Sequence, residues 1–259
     1  MAQELLRLNN AQVKVDGRII LDIDEFVVNK GEHVVVLGPN GSGKSTLIKL
    51  LTCEIMPVWH DDPPVVFMDD PKTPIETINE TIGVVSTSVQ ERMMVHRTVF
   101  DVVLGGFFGS VGVPFHIGAS DEQVQKAHQA IREIGIQGLA ERDMLTLSTG
   151  QVRRALIARA LINAPDVLVF DEPCVGLDPE AKWNLRQSLS ALAKAGHTII
   201  QVTHDVSDIM PEFERVVLLQ DAHIIADGPK EEVLTTQKLR RLFGVPVTLV
   251  ENDGHYHLQ

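Results

Sequence analysis

Apolar and polar residues are ordered differently along successive stretches of the chain. "AQVKVDGRII" and "EFVVNKGEHVVVLG" are β-rich runs broken by "DG" and "KG", so the first forty residues predict strands joined by turns. From Lys44 to about Cys53, "KSTLIKLLTC" has a helical pattern. Residues 57–81 are rich in Pro and Asp and predict an irregular surface segment. "TIGVVSTS" predicts a strand and its exit. From about residue 91 the pattern becomes helical: "TVFDVVLGGFFGSVG" is followed by "SDEQVQKAHQAIREIGI". The second run sets Val124, Ala127, Ile131 and Ile134 at helical spacing, with Ser120 as its cap. "QVRRALIARALINAP" predicts a helix ended by Pro165. "DVLVF" is a short continuous apolar run, as in a strand buried on both faces. "PEAKWNLRQSLSALAKAG" predicts a helix closed by glycine, "HTIIQVTH" a strand and "RVVLLQDAHIIADG" a hairpin. The tail predicts a short helix followed by an extended segment. Strands alternating with helices predict an α/β fold with a mostly parallel sheet, interrupted at about 91–146 by a helical insertion.

The chain has 259 residues, which suits one or two domains and a sizeable core. Its formal net charge of −12 argues against a surface built for nucleic acid. No apolar run reaches the roughly 18 residues of a membrane span, and "MAQELLRLNN" lacks the basic and apolar regions of a secretion signal. The two cysteines, Cys53 and Cys174, form no metal spacing or disulfide framework, so a reducing cytoplasm is expected.

Candidate chemistry begins at "GPNGSGKST", residues Gly38, Pro39, Asn40, Gly41, Ser42, Gly43, Lys44, Ser45 and Thr46. Gly38, Gly43, Lys44 and Ser45 fit the phosphate-loop pattern G-x-x-x-x-G-K-[ST], set between the strand "HVVVL" and a helix. Glycines let backbone N–H groups curl round a phosphate, and the helix N-terminus adds a favourable dipole. Lys44 can reach the β- and γ-phosphates, and the Ser45 hydroxyl can ligate Mg2+. In "DVLVFDEP", Asp171 ends an apolar strand, the place of a magnesium-holding carboxylate. Glu172 can orient and deprotonate an attacking water. Neighbours on an extended chain point opposite ways, which gives the two carboxylates different jobs. In "LSTGQ", Ser148 reads equally as a helix N-cap and as a residue facing a phosphate, because both use the same exposed N–H groups.

The phosphate loop, "LSTGQ", "DVLVFDEP", "GLD" and "QVTHD" stand in the order and spacing of the ABC-type ATPase domain. Over nearly its whole length the chain resembles the ATP-binding subunit of an ABC transporter, with "LSTGQ" departing from LSGGQ at Thr149 alone. The resemblance implies a RecA-like P-loop NTPase core with an antiparallel β part near the N-terminus and a helical subdomain. The whole chain, 1–259, would be one such domain: 1–90 and 147–259 form the core, and about 91–146 the helical subdomain. It implies a head-to-tail dimer in which Ser148 and the Gly150 backbone of one copy contact the γ-phosphate held by the other. His204 matches the switch histidine, and Asp178 in "GLDPE" the aspartate at the dimer seam, where it also suits an N-cap before Pro179. ATP and Mg2+ are the implied ligands.

Two positions depart from the family pattern. Counting from Gly83, Thr87 stands where the metal-sensing glutamine is expected; Gln90, three residues on, is taken as its equivalent and as a Mg2+ ligand beside Ser45 and Asp171. Near Val15 there is no aromatic residue to stack on adenine, which leaves an aliphatic surface there. The implied activity is Mg-ATP hydrolysis driving a separate transmembrane permease from the cytoplasmic face of the membrane, with a solute-binding protein in the case of import. The alternative is a soluble, non-transport ABC ATPase of repair, translation or cluster assembly. A binding module without catalysis is disfavoured by intact Lys44, Asp171, Glu172 and His204.

Overall fold

The structure is a computed structural model that describes residues 3–259, with Asn79 described by its backbone alone. In chain order the elements are strands β1 (Glu4–Val15), β2 (Arg18–Asn29) and β3 (His33–Leu37), helix α1 (Lys44–Leu51), strand β4 (Val65–Phe67), helix α2 (Ile75–Thr81) and strand β5 (Ile82–Val85). Helices α3 (Thr87–Met93), α4 (Val99–Leu104), α5 (Asp121–Glu133) and α6 (Thr149–Leu161) follow, then strand β6 (Val167–Asp171) and helix α7 (Pro179–Lys194). The chain closes with β7 (Thr198–Thr203), β8 (Arg215–Gln220), β9 (His223–Pro229), α8 (Lys230–Val233), α9 (Thr236–Phe243), β10 (Leu249–Asn252) and β11 (His255–Leu258). It divides into two compact units: the residues up to Asn79 together with Ala193–Gln259, and Glu80–Leu192.

In the first unit, β1 and β2 form a long antiparallel pair through a two-residue turn, Asp16–Gly17, in which both residues have positive φ. That geometry matches strand twist, and "DG" is the dipeptide that tolerates it. Strand β4 extends this sheet by pairing Val65–Phe67 with Leu6–Leu8. The second sheet is built on β3, which runs parallel to β7 and to β8, and β8 turns back into antiparallel β9. β3 and β7 are almost wholly buried, as continuous apolar runs covered on both faces must be. Arg215, at the start of β8, ties this region together. It donates to both Asp227 carboxylate oxygens at 2.6 Å, to Glu32 at 2.9 Å and to the Val27 carbonyl at 2.6 Å.

In the second unit, β5 runs parallel to β6, with Ile82 opposite Val167 and Val85 opposite Phe170. Helix α6 packs on β5, and α4 and α5 pack on α6. Gly83 is required at that contact, since a Cβ there would lie 2.8 Å from the Ala160 carbonyl oxygen. Between Arg92 and Leu147 the regular elements are all helical. Helix α5 begins at Ser120 with a capping box: the Ser120 hydroxyl accepts from the Gln123 N–H, and the Gln123 side chain accepts from the Ser120 N–H.

Two stretches differ from the sequence expectation. Residues 57–81, read as irregular, contain β4 and α2. The three-residue strand is too short to show a period and exists because β1 offers it an edge sixty residues away. The helix read through "TVFDVVLGGFFGSVG" is α-helical only for Val99–Leu104. It tightens to a 3-10 turn at Gly105–Phe108 and stops at Gly109, whose φ is 60°.

Candidate functional site

In the first unit the loop Gly38–Gly43 leaves the end of β3 and enters α1. Its first backbone link is to β7, where the Gly38 N–H donates to the Thr203 carbonyl at 3.2 Å. A side chain at Gly38 is impossible, because a Cβ would sit 2.6 Å from Ser42 Oγ and closer still to the Leu219 carbonyl oxygen. Gly41 and Gly43 have φ of 80° and 107°, the left-handed region that favours glycine. Helix α1 starts at Gly43 with no side chain capping its first turn. Lys44 is 5% exposed, and its ammonium donates to the Gly38 and Pro39 carbonyls, each at 2.8 Å. Ser42 Oγ is buried with no hydrogen-bond partner. Ser45 and Asn40 are exposed, and Pro39 and Thr46 are half-buried. His204 follows the last residue of β7 and is half-buried. The chain beyond it is fixed by Thr203, whose hydroxyl donates to Asp208 Oδ2 at 3.1 Å and accepts from the Asp205 N–H at 3.1 Å.

The second unit carries the other predicted residues. Asp171 ends β6, and both it and Glu172 are half-buried. Glu172 adopts φ of 48°, a left-handed conformation that costs a residue with a Cβ on the order of 1–2 kcal/mol. That turn breaks the strand immediately after Asp171 and leads into buried Cys174. Ser148 is the N-cap of α6 in a second capping box. Its hydroxyl accepts from the Gln151 N–H at 3.4 Å, and Gln151 Oε1 accepts from the Ser148 N–H at 3.1 Å. The serine is exposed, Thr149 is exposed and Gly150 is buried. A Cβ at Gly150 would come within 2.7 Å of the Ala181 Cβ, so the glycine is what lets α6 lie against α7. Asp178 is exposed and caps α7, with its Oδ1 accepting from the Ala181 N–H at 2.8 Å ahead of Pro179.

The two candidates for the sensing position share one short helix rather than a loop. Ser86 caps α3 by accepting from the Val89 N–H at 3.2 Å, Thr87 is its first residue, and Gln90 lies one turn on. The Thr87 hydroxyl accepts from Arg153 Nη2 at 3.2 Å. Gln90 Oε1 is buried without a hydrogen-bond partner. Val15 is 44% exposed and Ile19 45% exposed, so both flanks of the β1–β2 turn present aliphatic surface.

These residues form two groups, Gly38–Thr46 with His204 in the first unit and Gln90, Ser148, Gly150, Asp171, Glu172 and Asp178 in the second. The first is a cradle of backbone donors and one ammonium that no side chain can fill at Gly38, which suits phosphate oxygens. The Ser45 hydroxyl in the first unit, and the Asp171 carboxylate and orphaned Gln90 carboxamide in the second, are each of the oxygen type that suits a hard cation such as Mg2+. Among the described residues no helix is long and apolar enough to cross a membrane. Sequence reasoning missed Arg153: "VRR" at the start of a helix reads as a solvated charge, whereas Arg153 is 3% exposed.

A model of the family described as ABC transporter matches residues 21–175. The chain is 32% identical over 252 residues to an uncharacterized ABC transporter ATP-binding protein, YlmA, of Bacillus subtilis, covering 96% of this chain and 94% of that one. It is 34% identical over 226 residues to the energy-coupling factor transporter ATP-binding protein EcfA of Methanocaldococcus jannaschii, covering 85% of this chain and 77% of the relative. Among solved structures it is similar to cbiO1 of Clostridium perfringens, part of the ABC transporter complex cbiONQ. That match has a TM-score of 0.77 and 26% identity, over 92% of this chain and 94% of the other.

Proposed function

The chain belongs to the ABC transporter family, as an ATP-binding subunit, and we propose that it hydrolyses ATP with Mg2+ and couples that hydrolysis to a separate transmembrane permease. The observation that carries this reading is the loop Gly38–Gly43 folded round the Lys44 ammonium at the N-terminus of α1. Lys44 exchanges its two carbonyl partners for terminal phosphate oxygens, and the loop N–H groups bind the remaining phosphate charge. Ser45, Asp171 and Gln90 would hold Mg2+, which would supply positive charge to the phosphate oxygens. Glu172 accepts a proton from the water whose oxygen attacks the γ-phosphorus as the bond to the ADP oxygen breaks. His204 donates a hydrogen bond to the same phosphate. Ser148 keeps a proton to donate, because its oxygen already accepts from Gln151, and that proton with the Gly150 N–H serves a nucleotide held by a second copy in a head-to-tail dimer. Asp178 stands at the seam of that dimer. The whole chain acts as one ATPase domain with a helical subdomain at about 91–146. Its place is the cytoplasmic face of the membrane, on the permease. A relative named as an energy-coupling factor transporter ATP-binding protein and a structural neighbour named as part of an ABC transporter complex support the permease partner.

The test is Glu172→Gln, which keeps the shape and the backbone conformation but cannot take a proton. Hydrolysis should fall to a small residue while ATP binding persists, and the protein should elute as an ATP-dependent dimer in size-exclusion chromatography. Turnover near that of the unmodified protein would reject Glu172 as the base.

A further inference from the structure

One buried charge of the second unit has no part in the chemistry above. Arg153 lies on α6, five residues after Ser148, and is 3% exposed. Its Nη2 donates to the Thr87 hydroxyl at 3.2 Å. Its Nε and Nη1 are buried with no hydrogen-bond partner. Burial pushes the guanidinium pKa down, and the Asp171 carboxylate acts against that shift by favouring its charged form. The hydrogen bond to the Thr87 hydroxyl ties α6 to α3. On α3, Gln90 stands three residues beyond Thr87, the spacing that puts two side chains on one helix face, and its buried Oε1 has no hydrogen-bond partner.

A buried, under-bonded guanidinium is a poor way to stabilise a fold. Desolvation of the charge offsets its attractions, and an apolar side chain of similar volume serves as well or better. What Arg153 does that an apolar residue cannot is join two helices through a polar contact: the helix capped by Ser148 and the helix carrying Thr87 and Gln90. We infer that Arg153 is a positioning residue for ATP hydrolysis, holding α3, and with it Gln90, in fixed relation to α6, a role that rests on the reading of Gln90 as a holder of Mg2+. It touches neither nucleotide nor metal. It sets where Gln90 stands.

The test uses the purified full chain and three substitutions, Arg153→Gln, Arg153→Lys and Thr87→Val. ATPase rate is measured against Mg2+ concentration at saturating ATP, ATP affinity without Mg2+ by calorimetry, and folding by thermal melting. Loss of a group that orients metal ligands costs roughly 10–100-fold in metal affinity or activity. Arg153→Gln should therefore raise the half-saturating Mg2+ concentration and lower the maximal rate by about tenfold together, with ATP affinity in the absence of Mg2+ unchanged. Arg153→Lys, which keeps the charge, should recover most of the Mg2+ response. Thr87→Val removes the hydroxyl that accepts from Arg153, at an exposed residue, and should shift the Mg2+ dependence in the same direction by less. If Arg153→Gln does not fold, Thr87→Val decides: an unmoved Mg2+ curve overturns the assignment. A variant Arg153→Gln that melts lower but keeps the native Mg2+ curve overturns it too, since a merely structural residue behaves so. An unmodified chain without Mg2+-dependent hydrolysis would instead reject the functional reading itself, and this role with it.

Discussion

Replacing Gly150 by alanine puts a methyl group into the seam between α6 and α7. Built on the observed backbone, the new Cβ lies 2.7 Å from the Ala181 Cβ and 3.6 Å from its Cα. Methyl carbons rest at about 3.5–4.0 Å, so the two helices must part by roughly 1 Å or tilt locally. Overpacking of this size costs about 1–3 kcal/mol. Alanine's better helix propensity returns up to about 1 kcal/mol in a helix interior, and less in a first turn. The expected net effect of Gly150→Ala is a loss of about 1–2 kcal/mol. Ala181→Gly should cost about 0.5–1 kcal/mol by itself, through the weaker propensity of glycine. In the double variant the 2.7 Å clash is gone and the 3.6 Å contact is ordinary. The pair should therefore be less destabilised than the sum of its parts, by on the order of 1–2 kcal/mol. Urea unfolding of the four proteins, followed by circular dichroism, measures this coupling. Additivity to within about 0.5 kcal/mol would show that the seam yields without cost and that Gly150 does not set the approach of the two helices. ATPase assays on the same four proteins separate packing from phosphate contact. If Gly150 acts only through its backbone N–H, the double variant should regain hydrolysis that Gly150→Ala loses.

Lys44→Ala should weaken ATP binding itself, as read by calorimetry, because it removes the one ammonium of the cradle; unchanged affinity in a folded protein would count against the loop as a phosphate site. Ser148→Ala should cost about 1 kcal/mol of stability by undoing the capping box, whereas Ser148→Asp should fold well, since aspartate is an equally good cap. Ser148→Asp should nonetheless lose hydrolysis, because a carboxylate would face phosphate in a poorly hydrated interface. Mixed with Lys44→Ala protein it should recover part of the activity, and full activity of Ser148→Asp alone would leave the serine a helix cap and nothing more.

The parts of the chain legible in its residues are those governed by local rules. Ser120 and Ser148 each stand three residues before a glutamine at the head of a helix, and both make reciprocal capping boxes. "DG" at residues 16–17 is a tight turn because both positions need positive φ. The apolar runs of β3, β6 and β7 are buried strands. What escapes a local reading depends on distant partners. Strand β4 is held by β1. Helix α3 begins at Thr87 because Ser86 caps it, which turns a strand exit into a helix and puts Gln90 inside one. The departure of "LSTGQ" from LSGGQ is legible only with burial in hand: Thr149 is exposed and Gly150 is packed, so one position has room for a side chain and its neighbour does not. The burial of Arg153 has no local signature at all, since the same charge on the opposite face of α6 would read identically.

The ammonium of Lys44, held by the carbonyls of Gly38 and Pro39, has a consequence for how a ligand arrives. Under the proposed function, a phosphate entering this loop would take the place of the two carbonyls at the ammonium. A loop whose shape the Gly38 close approach and the positive φ of Gly41 and Gly43 fix would be preorganised, which favours tight and fast capture. Little apolar surface changes its exposure in such an exchange, so the heat capacity of binding at this loop should be small. The lysine thus acts as a template left in its own mould, and it sets the shape that a visiting anion finds.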